Sequence, residues 1–285
     1  MRTLVHLSDL HFGRVDATII EPLVAYLQQT QPDLVALSGD FTQRAAPAEF
    51  SEARRFLERI PFRWLAVPGN HDIPMYNLYA RFFRSLHHYR KFICRDLSPF
   101  FHDDEIAVMG INTARALTTK YGRISEAQIA AISRHFGPLG AEITKIVVTH
   151  HPFDLPEDYR DRRQLVGRAS EAMAAIAGSG VDLLLSGHLH LTRNGLTAAR
   201  YKLTGHSALV VQAGTATSTR GRGEANSFNV LRIETRRIVV ERIIWNPDTR
   251  DLALAGKAAF VRTGDLWQQE ESVSALDSPE TEGRP

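Results

Sequence analysis

The 285-residue chain reads as an α/β protein with a largely parallel sheet through its first two-thirds. Three observations predict this. Short apolar runs recur, nearly continuous, β-branched or leucine-rich, and bounded by Gly, Pro, Asn or Asp, as buried strands require. Helical patterns lie between several of them, and strands alternating with helices favour parallel pairing. Five of the runs end directly on short polar motifs, as expected where loops gather beyond the carboxyl ends of strands.

In chain order the first strands are Leu4–Leu7, Leu34–Leu37, Trp64–Val67, Ile106–Ile111, Ile146–Thr149 and Leu183–Leu185. Helix candidates are Ile19–Gln28, Ala48–Arg59 after Pro47, Ser125–Phe136 and Ala169–Gly178. Pro47 suits a helix's first turn, Ser125 and Gln128 make a capping box, and Gly178 suits a C-cap. After His190 the pattern changes: Leu209–Gln212, Phe228–Glu234 and Ile238–Trp245 predict an antiparallel closing section, with 216–227 a polar loop. The expected domain is therefore 1–250, followed by a C-terminal extension, 251–285, disordered from about Trp267. Residues 75–104 interleave aromatics with basic residues and read as a helical insertion. It is either a lid or a docking helix with its aromatics in the core and its arginines in solvent.

Composition narrows the class. A hydrophobic content of 44% supplies a sizeable core, and a formal net charge of +2 argues against a dedicated nucleic-acid binder. Cys94 is the single cysteine, which excludes an intrachain disulfide and a cysteine-based metal cluster. His6 and Asp9 interrupt the N-terminal apolar run, so it is no signal peptide, and no segment approaches the roughly 18 apolar residues of a membrane span. A cytoplasmic protein without an integral membrane segment is expected.

The polar motifs are Ser8-Asp9-Leu10-His11, Gly39-Asp40, Gly69-Asn70-His71-Asp72, His150-His151-Pro152 and Gly187-His188-Leu189-His190. Singly each has a bland reading: an N-cap, a turn, a satisfied histidine. Together, each closing an apolar run, they point to one pocket. Histidine, carboxylate and amide oxygen suit Mn, Fe or Zn. Seven candidate ligands, Asp9, His11, Asp40, Asn70, His150, His188 and His190, are too many for one four-coordinate ion and fit two that share a bridging carboxylate. Either His150 or His151 can fill its position.

With these motifs in this order, the chain resembles the calcineurin-like metallophosphoesterases over about residues 3–245. The resemblance implies a four-layer αββα sandwich, two mixed sheets flanked by helices, with a dinuclear metal site at the strand ends. It places Asp9, His11 and His190 on one metal, Asn70, His150 and His188 on the other, and Asp40 between them; the family pattern before a proline favours His150. His71 would face the phosphate as proton donor, with Asp72 orienting it, and a hydroxide bridging the metals would attack phosphorus.

The opening LVHLSDLHFG and the GHLH motif most resemble bacterial class III cyclic-nucleotide phosphodiesterases. A small phosphoester, a cyclic nucleotide included, is the expected substrate, with Asn70 and His71 binding it and Arg81 and Arg84 as further candidates. The alternatives are a pyrophosphatase of a nucleoside-diphosphate lipid (the UDP-diacylglucosamine type), a nuclease, and a catalytically silent scaffold on the same fold.

Overall fold

The computed structural model describes residues 1–155, 159, 161–201, 205–220 and 223–270. In chain order the elements are β1 (Arg2–Leu7), α1 (Ala17–Thr30), β2 (Leu34–Leu37), α2 (Pro47–Leu57), β3 (Trp64–Ala66), α3 (Leu78–Phe83), α4 (His87–Phe92), β4 (Phe100–His102), β5 (Ile106–Ile111), α5 (Glu126–Phe136), β6 (Thr144–Thr149), α6 (Ala169–Gly178), β7 (Leu183–Ser186), β8 (Arg193–Leu196), β9 (Leu209–Gln212), β10 (Ser227–Glu234), β11 (Arg237–Asn246), β12 (Asp251–Thr263) and β13 (Leu266–Gln269). They form two mixed sheets, ordered β13-β12-β11-β10-β1-β2-β3 and β4-β5-β6-β7-β9-β8.

Side-chain alternation explains the layers. Val35 and Leu37 of β2 face α1 and α2, joining Leu23, Leu27, Phe50 and Phe56. Leu34 and Ala36 face inward and meet Val108, Ile146 and Leu183 of the other sheet. On the far side Met109, Val147 and Leu184 pack on Phe136, Met173 and Ile176 of α5 and α6. Strands buried on both faces need apolar residues at every position, which is why these runs lack a polar alternation. The result is the four-layer sandwich that the resemblance implies.

Local signals set several ends. Ser125 Oγ accepts from Gln128 N at 3.3 Å and Gln128 Oε1 accepts from Ser125 N at 2.9 Å, the expected capping box at α5. Asp16 Oδ1 caps α1 through Thr18 N at 3.0 Å. Gly178 lies inside α6, and the left-handed turn after that helix falls on Gly180, with φ +62°. No helix among the described residues is long and apolar enough to cross a membrane.

Four expectations need correction. Leu209–Gln212 does not belong to an antiparallel closing section: β9 pairs parallel with β7, and β8 adds antiparallel to its other edge. The boundary at 250 falls within a meander, because β12 pairs along β11 from Asn246↔Asp251 to Arg237↔Val261. Trp267, placed at the start of a disordered tail, is buried in β13, where its Nε1 donates to Asp182 Oδ1 at 3.0 Å; the remainder of that tail, 271–285, lies outside the described residues. Residues 75–104 hold two short helices and strand β4 rather than one helical insertion. Of these, α4 docks as core, with Tyr89 fully buried and Phe92 stacked on Phe50.

Candidate metal centre

The five motifs converge at the carboxyl ends of β1, β2, β3, β6 and β7. The loops are joined by main-chain bonds: Asp9 N to Gly39 O at 3.1 Å, His11 N to Asp40 O at 2.9 Å and Gly187 N to His150 O at 3.1 Å. Two bonds cross between the sheets, His188 N to Asp9 Oδ2 at 3.0 Å and His150 Nδ1 to Ser38 O at 2.8 Å. The glycines allow this closeness. A Cβ on Gly69 would overlap the Asp40 carboxylate, and one on Gly39, with φ +94°, would sit 2.6 Å from His150 Nδ1. Asp9, His11, Asp40, His188 and His190 all hold positive φ, between 50° and 71°. Such left-handed backbone is costly for non-glycine residues and gathers at functional sites.

Five imidazoles are anchored through one nitrogen, with the other turned to the centre. His150 Nδ1 donates to Ser38 O, His11 Nδ1 to Thr42 O at 3.3 Å and His190 Nδ1 to Arg220 O at 3.1 Å. His188 Nε2 donates to Gln164 Oε1 at 2.6 Å and His71 Nδ1 to Gln43 O at 2.8 Å. Oxygen acceptors of this kind fix the tautomer and the ring orientation of metal-binding histidines. His151 differs. Its Nε2 donates to Lys120 O at 3.1 Å and its Nδ1 meets Thr113 Oγ1 at 2.8 Å, so protein partners take both nitrogens.

The inward atoms form two groups around Asp40. Asp9 Oδ1 lies 3.2 Å from His190 Nε2 and 3.6 Å from His11 Nε2. His150 Nε2 lies 3.1 Å from Asn70 Oδ1 and 3.3 Å from His188 Nδ1. Asp40 Oδ2 stands between, 3.7 Å from His11 Nε2 and 3.4 Å from His150 Nε2. Asp9, His11 and His190 can converge on one ion, as can Asp9, Asp40 and His150.

The donor set asks for cations. Among the described residues Asp9 Oδ1 is buried and has no hydrogen-bond partner, a costly state for a carboxylate oxygen unless it ligates something. Burial opposes ionisation of Asp9 and Asp40, but neighbouring imidazoles outweigh it and hold both carboxyls well below the usual range. His150 shows the converse. Burial would lower it, yet the Asp40 carboxylate pushes it up to about 9. Buried carboxylates thus hold a positive charge at the position where His/Asp/Asn donors would seat a metal.

A cavity of about 370 Å³ opens above the cluster, with Asn70, His71, Lys120 and Arg220 on its walls. Its rim includes Met75, Tyr76 and Arg81 from the start of the 75–104 segment. The guanidinium of Arg81 is engaged by Pro74 O and Thr118 O. Arg84, expected beside the substrate, lies outside the lining and over the Tyr79 ring, 6.0 Å from its centroid. Asp72 also departs from expectation, since it does not orient His71. Its Oδ2 accepts from Phe41 N and Gly69 N, and its Oδ1 from Thr42 N and Thr42 Oγ1, all within 3.2 Å. It fastens the Asp40 loop to the Asn70 turn, while the Gln43 carbonyl orients His71.

Sequence reasoning missed Gln164, Gln43 and Arg220. None stands in a motif or closes an apolar run. Each reaches the centre because two loops meet in space, and no local signal marks that.

Residues 2–191 match the calcineurin-like phosphoesterase family. The chain is 24% identical over 255 residues, 81% of its length and 75% of the relative's, to a cAMP/cGMP dual specificity phosphodiesterase of Mycobacterium tuberculosis. It is 33% identical over 82 residues to the glycerophosphodiester phosphodiesterase GpdQ of Enterobacter lignolyticus, spanning 29% of that protein. The fold is shared with a yellow lupin purple acid phosphatase (TM-score 0.70, 10% identity, 92% of this chain and 54% of that one). A dimetal phosphatase from Danio rerio shares it too (TM-score 0.63, 12% identity, 89% and 98%). With these motifs gathered into buried His/Asp groups, the chain belongs to the calcineurin-like phosphoesterase family and is a metal-dependent phosphoesterase.

Proposed function

We propose that the protein is a phosphodiesterase for a small substrate, cyclic nucleotides among them. The observation that carries this is the pairing at the cavity wall: His71 presents Nε2 to the space above the cluster, and Arg220 Nη1 lies 3.0 Å from it. A phosphodiester brings one negative charge and a poor alkoxide leaving group. One guanidinium suits the charge, and one imidazole suits the leaving oxygen. The names of the M. tuberculosis and Enterobacter relatives support the same class. The cavity volume, about 370 Å³, suits a nucleotide-sized ligand.

In this reading Asp9, His11 and His190 would hold one metal and Asn70, His150 and His188 the second, with Asp40 available to both. Two ions of the Mn, Fe or Zn type supply Lewis acidity and an activated water when bound. The chain's own residues do the rest. Asn70, His71 and Arg220 fix the phosphoryl oxygens. His71 keeps Nδ1–H on the Gln43 carbonyl; once Arg220 turns from Nε2 to the phosphoryl oxygens, Nε2 takes up a proton from water and passes it to the departing oxygen. Asp72 keeps the Asp40 loop and the Asn70 turn in register. A cytoplasmic setting accords with Cys94 as a free thiol.

The test is a panel with Mn²⁺ present: bis(p-nitrophenyl) phosphate, p-nitrophenyl phosphate, cAMP and a nucleoside-diphosphate ester. A kcat/KM for the diester about tenfold or more above the monoester is expected. Preference for the monoester, or turnover of the diphosphate ester alone, overturns the reading.

A further inference from the structure

Helix α3 is turned inside out. Its buried side chain is Arg81, 6% exposed, whereas Leu78, Tyr79, Phe82 and Phe83 are 65%, 62%, 51% and 76% exposed. Met75 and Tyr76, just before it, are also exposed. A surface helix in water ordinarily turns its apolar stripe to the core. Scattered exposed apolar residues are unremarkable, but a contiguous group marks an interaction surface.

Specific contacts hold this orientation. Arg81 donates Nη1 to Pro74 O at 3.2 Å and Nη2 to Thr118 O at 2.9 Å, which ties the helix to a neighbouring loop. Asn77 caps it through Ala80 N at 2.9 Å. The Tyr79 and Phe83 rings pair with one another, centroids 5.2 Å apart, on the exposed side. The next helix, α4, takes the ordinary course and buries Tyr89.

The segment itself carries charge of one sign. Between Ile73 and Arg95 stand Arg81, Arg84, Arg90, Lys91 and Arg95, with no Asp or Glu. All of these except Arg81 are exposed. Met75 and Tyr76 belong at once to the apolar surface and to the rim of the metal-centre cavity.

We propose that α3 and its flanking residues dock on an anionic lipid bilayer, bringing the cavity mouth to the membrane surface. Phe and Leu side chains enter the boundary between headgroups and acyl chains, Tyr rings sit at headgroup level, and the arginines and lysine meet lipid phosphates. Charge decides against a second copy of the chain: a two-fold interface sets the same patch against itself and brings these cations together. The docking surface stands apart from the phosphodiesterase reading.

Co-sedimentation of the Mn²⁺-loaded protein with phosphatidylglycerol-containing vesicles, against phosphatidylcholine alone, tests this directly. Binding about tenfold or more tighter to the anionic vesicles is expected, abolished in Phe82→Glu/Phe83→Glu. In Arg84→Ala/Lys91→Ala it falls about fivefold per cation removed. Turnover of soluble bis(p-nitrophenyl) phosphate stays unchanged in both variants, because none of these four side chains lines the cavity. The proposal is overturned if the wild type does not sediment with anionic vesicles, or if Phe82→Glu/Phe83→Glu sediments equally well. It is also overturned if that variant instead abolishes a dimer in sedimentation velocity, or binding of a labelled single-stranded oligonucleotide, with no vesicle binding by the wild type.

Discussion

Arg220 donates from Nη1 to His71 Nε2 at 3.0 Å. The same residue's main-chain carbonyl accepts from His190 Nδ1 at 3.1 Å. One residue therefore serves the metal cluster through its backbone and the cavity through its side chain, and substitution separates the two. Arg220→Ala should keep metal stoichiometry and lower kcat/KM for a diester by about 10–100-fold, the scale of a lost charge-assisted contact at a reacting phosphoryl group. His71→Ala should also keep metal and lower kcat by about 100-fold or more. Steady-state kinetics with elemental analysis of both variants checks this. Lost metal in either, or unchanged turnover in Arg220→Ala, would refute the roles given.

Gln164 holds His188 from behind, its Oε1 2.6 Å from Nε2. With that acceptor in place, Nδ1 is the nitrogen left to face His150. Gln164→Ala should weaken binding at the His188 side by about 10–100-fold, the usual cost of losing such an outer partner. Mn²⁺ titration calorimetry would show it as one weakened site beside one little changed. Two sites weakened equally would mean that the loop, rather than the imidazole, depends on Gln164.

The two kinds of supporting residue differ in how visible they are. Asp9, His11, Asp40, His150, His188 and His190 were legible because each follows an apolar run, and those runs, His6 apart, are nearly continuous in apolar residues because both faces are buried. Gln164 and Arg220 act across space from loops without a pattern. Strand β12 was hidden for another reason. Of its thirteen residues only Phe260 is buried, and it is held mainly by its ladder with β11, which main-chain groups of any sequence can make. Helix α3 shows a third limit. Its spacing tells which side chains share a face, not which way that face turns, so the sequence left open whether its aromatics lie in the core or, as they do, outside it.

Trp267 closes the inter-sheet core from the edge strand β13, and its indole N–H shares Asp182 Oδ1 with Arg262 Nη1, at 3.0 and 2.6 Å. Trp267→Ala should cost about 3–5 kcal/mol, the range for emptying a buried aromatic site. Urea unfolding measured with metal bound would report it. A loss below about 1 kcal/mol would make the last strand an ornament on a core that is complete without it.

His6 predicts a pH dependence. It lies buried between the sheets, with Nε2 2.9 Å from Ser38 Oγ and Nδ1 without a partner among the described residues. Burial lowers it from 6.5 to about 3, against a smaller opposing pull from Asp9. The unfolded chain then takes up this proton below about pH 6.5 while the folded chain refuses it until about pH 3. Acid therefore favours unfolding across that window, and stability is retained above it. The slope is about 1.4 kcal/mol per pH unit for one proton. His6→Gln keeps a polar group near Ser38 and removes the titration. Urea unfolding of both proteins in chelator, at intervals between pH 6 and 4, excludes metal release from the comparison. His188 and His151 contribute alike to both, so the difference belongs to His6. The variant's stability should fall less steeply with acid than the wild type's; parallel curves would mean that His6 is protonated in the folded protein.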